Sequence, residues 1–341
     1  MKTKSLIQFV GLFCMCAIST KAPIAYAGDF ISGRDSMYLI SSDGEVYRRA
    51  DDGNWQKTEA ALPDRVYAKG ISTMASDGDD LLYTLGSDDK VYYQVNEHPQ
   101  IEISNVQPPK GIAAGFRHSN SFATSRDGSI LLGGDGKLYS RASSQGSKWA
   151  VASVQLPSGV SGRAFVLGEQ GSSISVIGDD GKIYEKSLQG TSYSLSQFQL
   201  PAAVKPLASR QQRGSTFSYS KENGYFLIGD DGKIYHRGGG QQWSKEDQAQ
   251  LPNGIKPISI MVKKLKNSTG IKGGVGSAAY REFEETVVYV IGDDGQIYAR
   301  GINEKTFALS HIQLPSGVMP LGATNNGSGS TGRSSNVRTV P

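Results

Sequence analysis

One nine-residue phrase constrains this chain more than any other: Val176-Ile-Gly-Asp-Asp-Gly-Lys-Ile-Tyr184. An apolar pair enters a turn and an aliphatic–aromatic pair leaves it, so the phrase predicts two antiparallel strands joined by a tight hairpin. Asp-Gly suits a two-residue turn because its central positions need positive φ, which Asp and Gly adopt at the least steric cost. The phrase returns nearly letter for letter at 227–235 and 290–298, and more loosely at 39–47, 82–92 and 131–139. A chain that writes one hairpin six times is a repeat protein.

The period can be measured. The closing tyrosines are Tyr47, Tyr92, Tyr139, Tyr184, Tyr235 and Tyr298, at intervals of 45, 47, 45, 51 and 63 residues. A Leu-Pro follows each of five at a steady 16 to 18 residues (Pro63, Pro157, Pro201, Pro252, Pro315), and Gln107-Pro108 stands in after Tyr92. An aromatic residue precedes five of these prolines by eight or nine positions: Trp55, Trp149, Tyr193, Trp243 and Phe307.

Each unit reads as four short strands, illustrated by 163–168, 173–178, 182–186 and roughly 193–200. No window carries apolar residues at helical spacing over three turns. Six such units predict an all-β fold, a six-bladed β-propeller of four-stranded blades. Along the third strand, the tyrosine and its second neighbours share one face and the preceding Val, Ile or Leu takes the other. Tyrosine and aliphatic residue are expected between blades, with the long cations beside them lying over the ring and reaching solvent. Residues 318–323 resemble the openings of other blades, and are expected to pair with the first blade and close the ring.

The ends are different in kind. A basic start, an apolar run over 5–18 and Ala25-Tyr-Ala27 predict a secretory signal over 1–27, with the propeller over 28–323 and a disordered Gly/Ser/Asn tail over 324–341. Both cysteines, Cys14 and Cys16, fall in the leader, which leaves no thiol for a disulfide or a nucleophile. The leader also holds three of the 36 Lys and Arg and none of the 32 acids, so 28–341 is nearly neutral. That balance argues against nucleic-acid binding. No apolar run after the leader is long enough to span a membrane.

Chemistry is harder to find. An aspartate stands four residues before every closing tyrosine (Asp43, Asp88, Asp135, Asp180, Asp231, Asp294), and turn geometry accounts for it better than a metal would. The histidines His98, His118, His236 and His311 show no ligand spacing, and no nucleophile elbow or phosphate loop is present. No catalytic residue, metal or cofactor is assigned. The carboxylates Glu169, Glu222, Glu282, Glu284 and Glu285 would have to converge at the ring centre to hydrolyse a glycan; for 282–285 a solvated charged loop is the alternative.

Blade topology places the second-to-third and fourth-to-first connections on one face, where the repeated Asp-Gly and Leu-Pro segments lie. The other face carries connections that differ in every copy, and an insertion over 263–286. A ligand is expected on this irregular face. Candidate binding residues are Lys263, Lys264, Lys266 and Lys272 of the insertion, with Trp55, Trp149 and Trp243 as stacking platforms; packing between blades is the other role open to the tryptophans.

The repeat resembles two families. Hydrophobic pair, Asp-Gly, Ile-Tyr-x-Arg, then Trp and Pro-x-Gly-Val is similar to the tectonin-type repeat of propeller lectins, best in 226–255 and 289–318. The tryptophan usual before that family's turn is replaced by Val176-Ile177 or Leu227-Ile228. Asp179-x-Gly181-x-x-Tyr184 and its copies at 230 and 293 resemble the Asp-box of sialidase-like propellers, with Ile177, Ile228 and Ile291 where Ser or Thr is usual. The first resemblance implies a propeller that binds surface glycans or glycoproteins. The expected function is therefore lectin-like binding of a glycan or cell-surface ligand by an exported or periplasmic protein; a scaffold for another exported protein and a polysaccharide-active enzyme are the alternatives.

Overall fold

The computed structural model describes 26–28, 30–33, 36–50 and most of 53–320. Residues 1–25 and 321–341 lie outside the description, with several internal stretches of which 109–121 and 270–280 are the longest. The predicted tail and most of the predicted leader are thus outside the described residues. What is described is all-β: six antiparallel sheets in sequence order, the blades of a six-bladed propeller. Blade 1 is Phe30–Ser32, Ser36–Ile40, Val46–Ala50 and Gln56–Lys57. Blade 4 is Gly162–Leu167, Ser173–Gly178, Ile183–Ser187 and Ser194–Leu195. Blade 5 is Phe217–Ser220, Gly224–Ile228, Ile234–Arg237 and Ser244–Lys245. Blade 2 is built on Ala68–Ser76, Asp79–Gly86, Val91–Val95 and Glu102–Ile103, and blade 6 on Pro257–Thr269, Arg281–Gly292, Ile297–Gly301 and Ala308–Leu309.

The hairpin is real, but its turn is of a different type from the one expected. Gly181 N–H donates to Gly178 O at 3.0 Å, and only Gly181, not Asp180, has positive φ (80°). This is a type I turn closed by a glycine bulge, which needs one left-handed residue rather than two. Gly44, Gly136, Gly232 and Gly295 repeat it, and Asp89 takes the position in blade 2 at φ 65°.

The fourth strand is shorter than expected. It pairs over only Ser194–Leu195, because a side chain then replaces the backbone. Gln199 Oε1 accepts from Ile183 N–H at 2.9 Å, while its Nε2 donates to the carbonyls of Ile183 and Ser196, each at 2.8 Å. The amide mimics a peptide unit, so the chain can leave the sheet without orphaning the third strand. Gln107, Gln155, Gln250 and Gln313 do the same for Val91, Leu138, Ile234 and Ile297.

Apolar burial lies between blades. One cluster joins Ile177 and Ile183 of blade 4 to Tyr235 and Trp243 of blade 5. Another joins Ile291 and Ile297 of blade 6 to Phe30 and Trp55 of blade 1. Each fully buried aliphatic or aromatic side chain contributes about 1.5–3 kcal/mol, and the second cluster applies that to the seam where chain ends meet. Met319 O accepts from Ser42 N–H at 2.7 Å, and Pro320 forms an isolated bridge with Ser41. The C-terminal segment thus meets the first blade as expected, but at its hairpin turn; all four strands of that blade come from 30–57.

Two elements depart from the four-strand plan. Tyr26–Gly28 adds a fifth strand to blade 2, pairing with 71–73 at its inner edge, so the predicted cleavage point falls within a strand. The insertion is also no loop. Pro257–Thr269 and Arg281–Gly292 pair continuously from Ser259↔Ile291 to Thr269↔Arg281, while the third strand covers only 287–291. A two-stranded ribbon therefore extends beyond blade 6 on the irregular face.

Candidate functional site

The uniform face is sewn together by its own backbone. The N–H groups of Ser42, Ser87, Asp179, Asp230 and Asp293 donate to the carbonyls of Met319, Tyr67, Ser161, Lys205 and Lys256 at 2.7–2.8 Å. In return Asp179, Asp230 and Asp293 accept from Ser161, Lys205 and Lys256 N–H at 3.0 Å. The next aspartate is engaged as well: Asp180 accepts from Lys182 N–H at 3.1 Å and from Tyr184 hydroxyl at 2.7 Å. The tyrosine–aspartate bond recurs at 92–88, 139–135, 235–231 and 298–294. Burial first, then that hydrogen bond, pushes the phenol of Tyr184 up to about 12. These oxygens hold blades, and among the described residues no three His, Cys, Asp or Glu come together as a metal-holding group.

The predicted binding residues scatter. Trp55, Trp149 and Trp243 are buried at 5%, 8% and 6% exposure, which corrects their assignment as stacking platforms. Trp55 bonds across the seam to Ile312 O and Trp243 to Phe198 O of blade 4 at 3.1 Å; Trp149 Nε1 finds no acceptor among the described residues. Their reason is packing: the indole fills the gap beside the next blade's aliphatic residues. Lys263 is corrected likewise. It is 1% exposed, and its ammonium donates to Ser36 O at 3.0 Å and Gly33 O at 3.3 Å, across the seam. Lys264 is exposed and pairs with Glu222 at 3.1 Å. Lys266 is in register with Glu284 in the ribbon ladder; Lys272 lies outside the described residues.

Among the described residues no carboxylate lines the ring centre. Phe30, Phe165, Phe217, Ile260 and Met261 line it, with Ser32, Ser215 and Ser218. Glu222 is engaged by Lys264, and Glu282, Glu284 and Glu285 occupy ribbon positions opposite Ser268, Lys266 and Leu265, so the run is strand rather than loop. Glu169 lies outside the described residues.

What the irregular face does assemble is a cation–aromatic cluster between blades 4 and 5. Arg237 ends the third strand of blade 5, and its Nη1 donates to Glu185 Oε1 of blade 4 at 3.0 Å. The guanidinium carbon stands 4.4, 4.7 and 5.8 Å from the ring centres of Phe198, Tyr225 and Trp243. Tyr219 packs on Tyr225 at 4.8 Å. Arg237 is buried rather than reaching solvent, and its Nε finds no acceptor among the described residues. Glu185, Tyr219 and Tyr225 remain half-buried at the rim.

Beside it, between blades 5 and 6, is a charge network that no sequence spacing announced. His236 stacks on Phe226 (4.4 Å, 20°), with Nδ1 3.1 Å from Glu246 Oε1 and Nε2 2.5 Å from Asn223 O. Arg300 Nη1 approaches the other oxygen of Glu246 at 3.5 Å. Burial pulls the imidazolium down, but the bonds to Glu246 and Asn223 O and the Glu246 charge outweigh it and the opposing Arg300, so His236 sits above 6.5. Glu246 is held below 4.5, chiefly by the His236 hydrogen bond, against its burial. A signal did exist. Glu185 and His236 both occupy the position after the closing tyrosine, where the copies read Arg48, Tyr93, Ser140, Glu185, His236 and Ala299.

No protein-family model matches the chain, and no curated protein matches it in sequence. Solved structures with a similar fold include a mutant of AofleA from Arthrobotrys oligospora, at 12% identity over 89% of this chain and 91% of that one, TM-score 0.48. YCF48 bound to a D1 peptide is similar at 11% identity over 85% and 82%, TM-score 0.46. BBS1N in complex with ARL6DN is similar at 14% over 90% and 84%, TM-score 0.44. Among the described residues no helix is long and apolar enough to cross a membrane.

Proposed function

We propose that this chain is an exported binding module that recognises glycan or other cell-surface material through the irregular face, between blades 4 and 5. The observation that carries this reading is the Arg237–Glu185 pair set among Phe198, Tyr225 and Trp243. The half-buried rings of Tyr219 and Tyr225 at its rim favour the C–H faces of a sugar, while the half-buried Glu185 carboxylate, oriented by the buried Arg237, offers directional bonds to its hydroxyls. The opposite face supports the reading by contrast, since its aspartates are engaged within the hairpin turns and with the segments that enter each blade. The tectonin-type resemblance points the same way. The test is a glycan array probed with the chain starting at Gly28. Binding to at least one carbohydrate class is expected, weakened about tenfold or more, roughly 1.4 kcal/mol, by Glu185→Gln or Tyr219→Ala at unchanged circular dichroism. Absence of binding to every immobilised glycan and lipopolysaccharide would sink it.

A second reading, a scaffold for another exported protein, is favoured by the ribbon. Among the described residues neither 264–269 nor 281–285 pairs with a third strand, and open strand edges accept extended peptides. It predicts a specific co-purifying protein, lost when 265–284 is replaced by a short turn while glycan binding persists.

A further inference from the structure

We propose that His236 is a proton-operated latch on the turn at 222–223, so that the shape of the ligand face, and with it binding strength, follows pH. The regulatory part rests on the function proposed above; the latch itself does not.

Both groups facing the ring nitrogens are acceptors only: a carboxylate oxygen of Glu246 at Nδ1 and the carbonyl of Asn223 at Nε2. Neutral imidazole has one N–H and would set a lone pair against one of them, whereas imidazolium donates to both. The charged groups facing the ring are Glu246 from its own blade, which favours the proton, and Arg300 from blade 6, which opposes it. Arg300 is itself engaged, donating to Glu304 O at 3.0 Å and lying 5.4 Å from the ring centre of Phe307. Phe226 covers the underside of the imidazole.

The turn is where losing that bond would tell. Asn223 precedes Gly224, whose φ is +78° and where a Cβ would fall 2.2 Å from Arg237 O, so the chain there lies hard against the third strand. Next comes Tyr225, a member of the aromatic cluster around Arg237. On the other side Glu222 ties the turn to Lys264 at the root of the ribbon. The one N–H of the neutral ring stays on Nδ1, where the Glu246 carboxylate is the stronger acceptor, so loss of the proton frees the Asn223 carbonyl, leaving the exposed Glu222–Lys264 pair to hold the turn's outer side. Exposed pairs of that kind contribute little. Protonated, the turn presses Tyr225 against Arg237; neutral, it is released.

The decisive measurement is amide hydrogen exchange at 222–225 on the chain starting at Gly28, corrected for intrinsic rates, at pH 5.5 and 8. Wild type is expected to lose protection about tenfold or more at pH 8, and Glu246→Gln to lose it already at pH 5.5. In parallel, NMR titration of the wild-type His236 ring should show both nitrogens protonated at pH 5.5 and a midpoint above 6.5. This keeps the proposal testable should a variant fail to fold. Equal corrected protection at both pH values, or a midpoint at or below 6.5, overturns the latch. A chain with pH-dependent exchange that binds no glycan at either pH would retain the latch and lose the lectin reading.

Discussion

The indole N–H of Trp55 donates to the carbonyl of Ile312 at 3.2 Å, joining residues 257 positions apart and, with them, the first blade to the last. Lys263 and Met319 cross the same seam. Closing the ring packs the face of the last blade against that of the first, so these contacts hold together what would otherwise open. Trp55→Ala is expected to cost about 3–5 kcal/mol in chemical denaturation. Deleting from residue 318 onward, which removes the Met319–Ser42 stitch, should lower the melting temperature; an unchanged melt would refute closure at this point.

The glutamine that precedes Leu-Pro in four blades, and Pro108 in a fifth, is a stability determinant. Gln250→Ala removes the acceptor for Ile234 N–H and donors to the carbonyls of Ile234 and Glu246. Orphaning half-buried backbone groups costs about 1–3 kcal/mol. Urea denaturation of Gln199→Ala and Gln250→Ala should show losses of that size. Values near zero would mean that water substitutes fully for the amide.

Some turns carry the wrong residue for their conformation. Ala203 has φ 71° where Gly159, Gly254 and Gly317 occupy the matching positions at 82–90°. A side chain at positive φ costs about 1–2 kcal/mol, partly offset by the greater entropy of unfolded glycine. Ala203→Gly should therefore stabilise by about 1 kcal/mol, and Arg65→Gly, at φ 66°, should do the same. A denaturation midpoint that falls in both variants would contradict this.

Stability should also depend on pH through His236 and Glu246. The folded value of His236 is raised, so its contribution is complete below 6.5 and is lost as pH climbs through the folded value. Glu246 is lowered, so its contribution is present above 4.5 and is lost as pH falls through its depressed value. Their joint contribution peaks between these limits. The difference in unfolding free energy between wild type and His236→Gln/Glu246→Gln, followed from pH 4 to 9, should be largest near 5.5; a difference that grows steadily toward pH 9 would contradict it.

What could be read from the chain alone was what recurs locally. The hairpin, its period and the tyrosine beside its aliphatic neighbour depend on contacts within one blade or on positions that every blade repeats, so six copies average away the noise. The role of Asp180 was legible because its partners, Lys182 N–H and Tyr184, lie two and four residues away. The turn type was not, since Asp-Gly serves both a two-residue turn and a type I turn with a glycine bulge.

The candidate site belongs to the tertiary structure. Trp243 in sequence is an aromatic with two possible roles; only the approach of blade 4 buries it and leaves Arg237 to face Glu185. His236 finds Glu246 and Asn223 within its blade but Arg300 in the next, a juxtaposition set by how far each blade is rotated about the ring. Lys263 looked like a free surface cation and became a buried tie because ring closure brings the carbonyls of residues 33 and 36 to it. The repeat itself determined that a propeller forms. Which unlike residues meet across neighbouring blades, and so what this one can hold, was decided when the blades packed, because those contacts join positions with no fixed spacing in the chain.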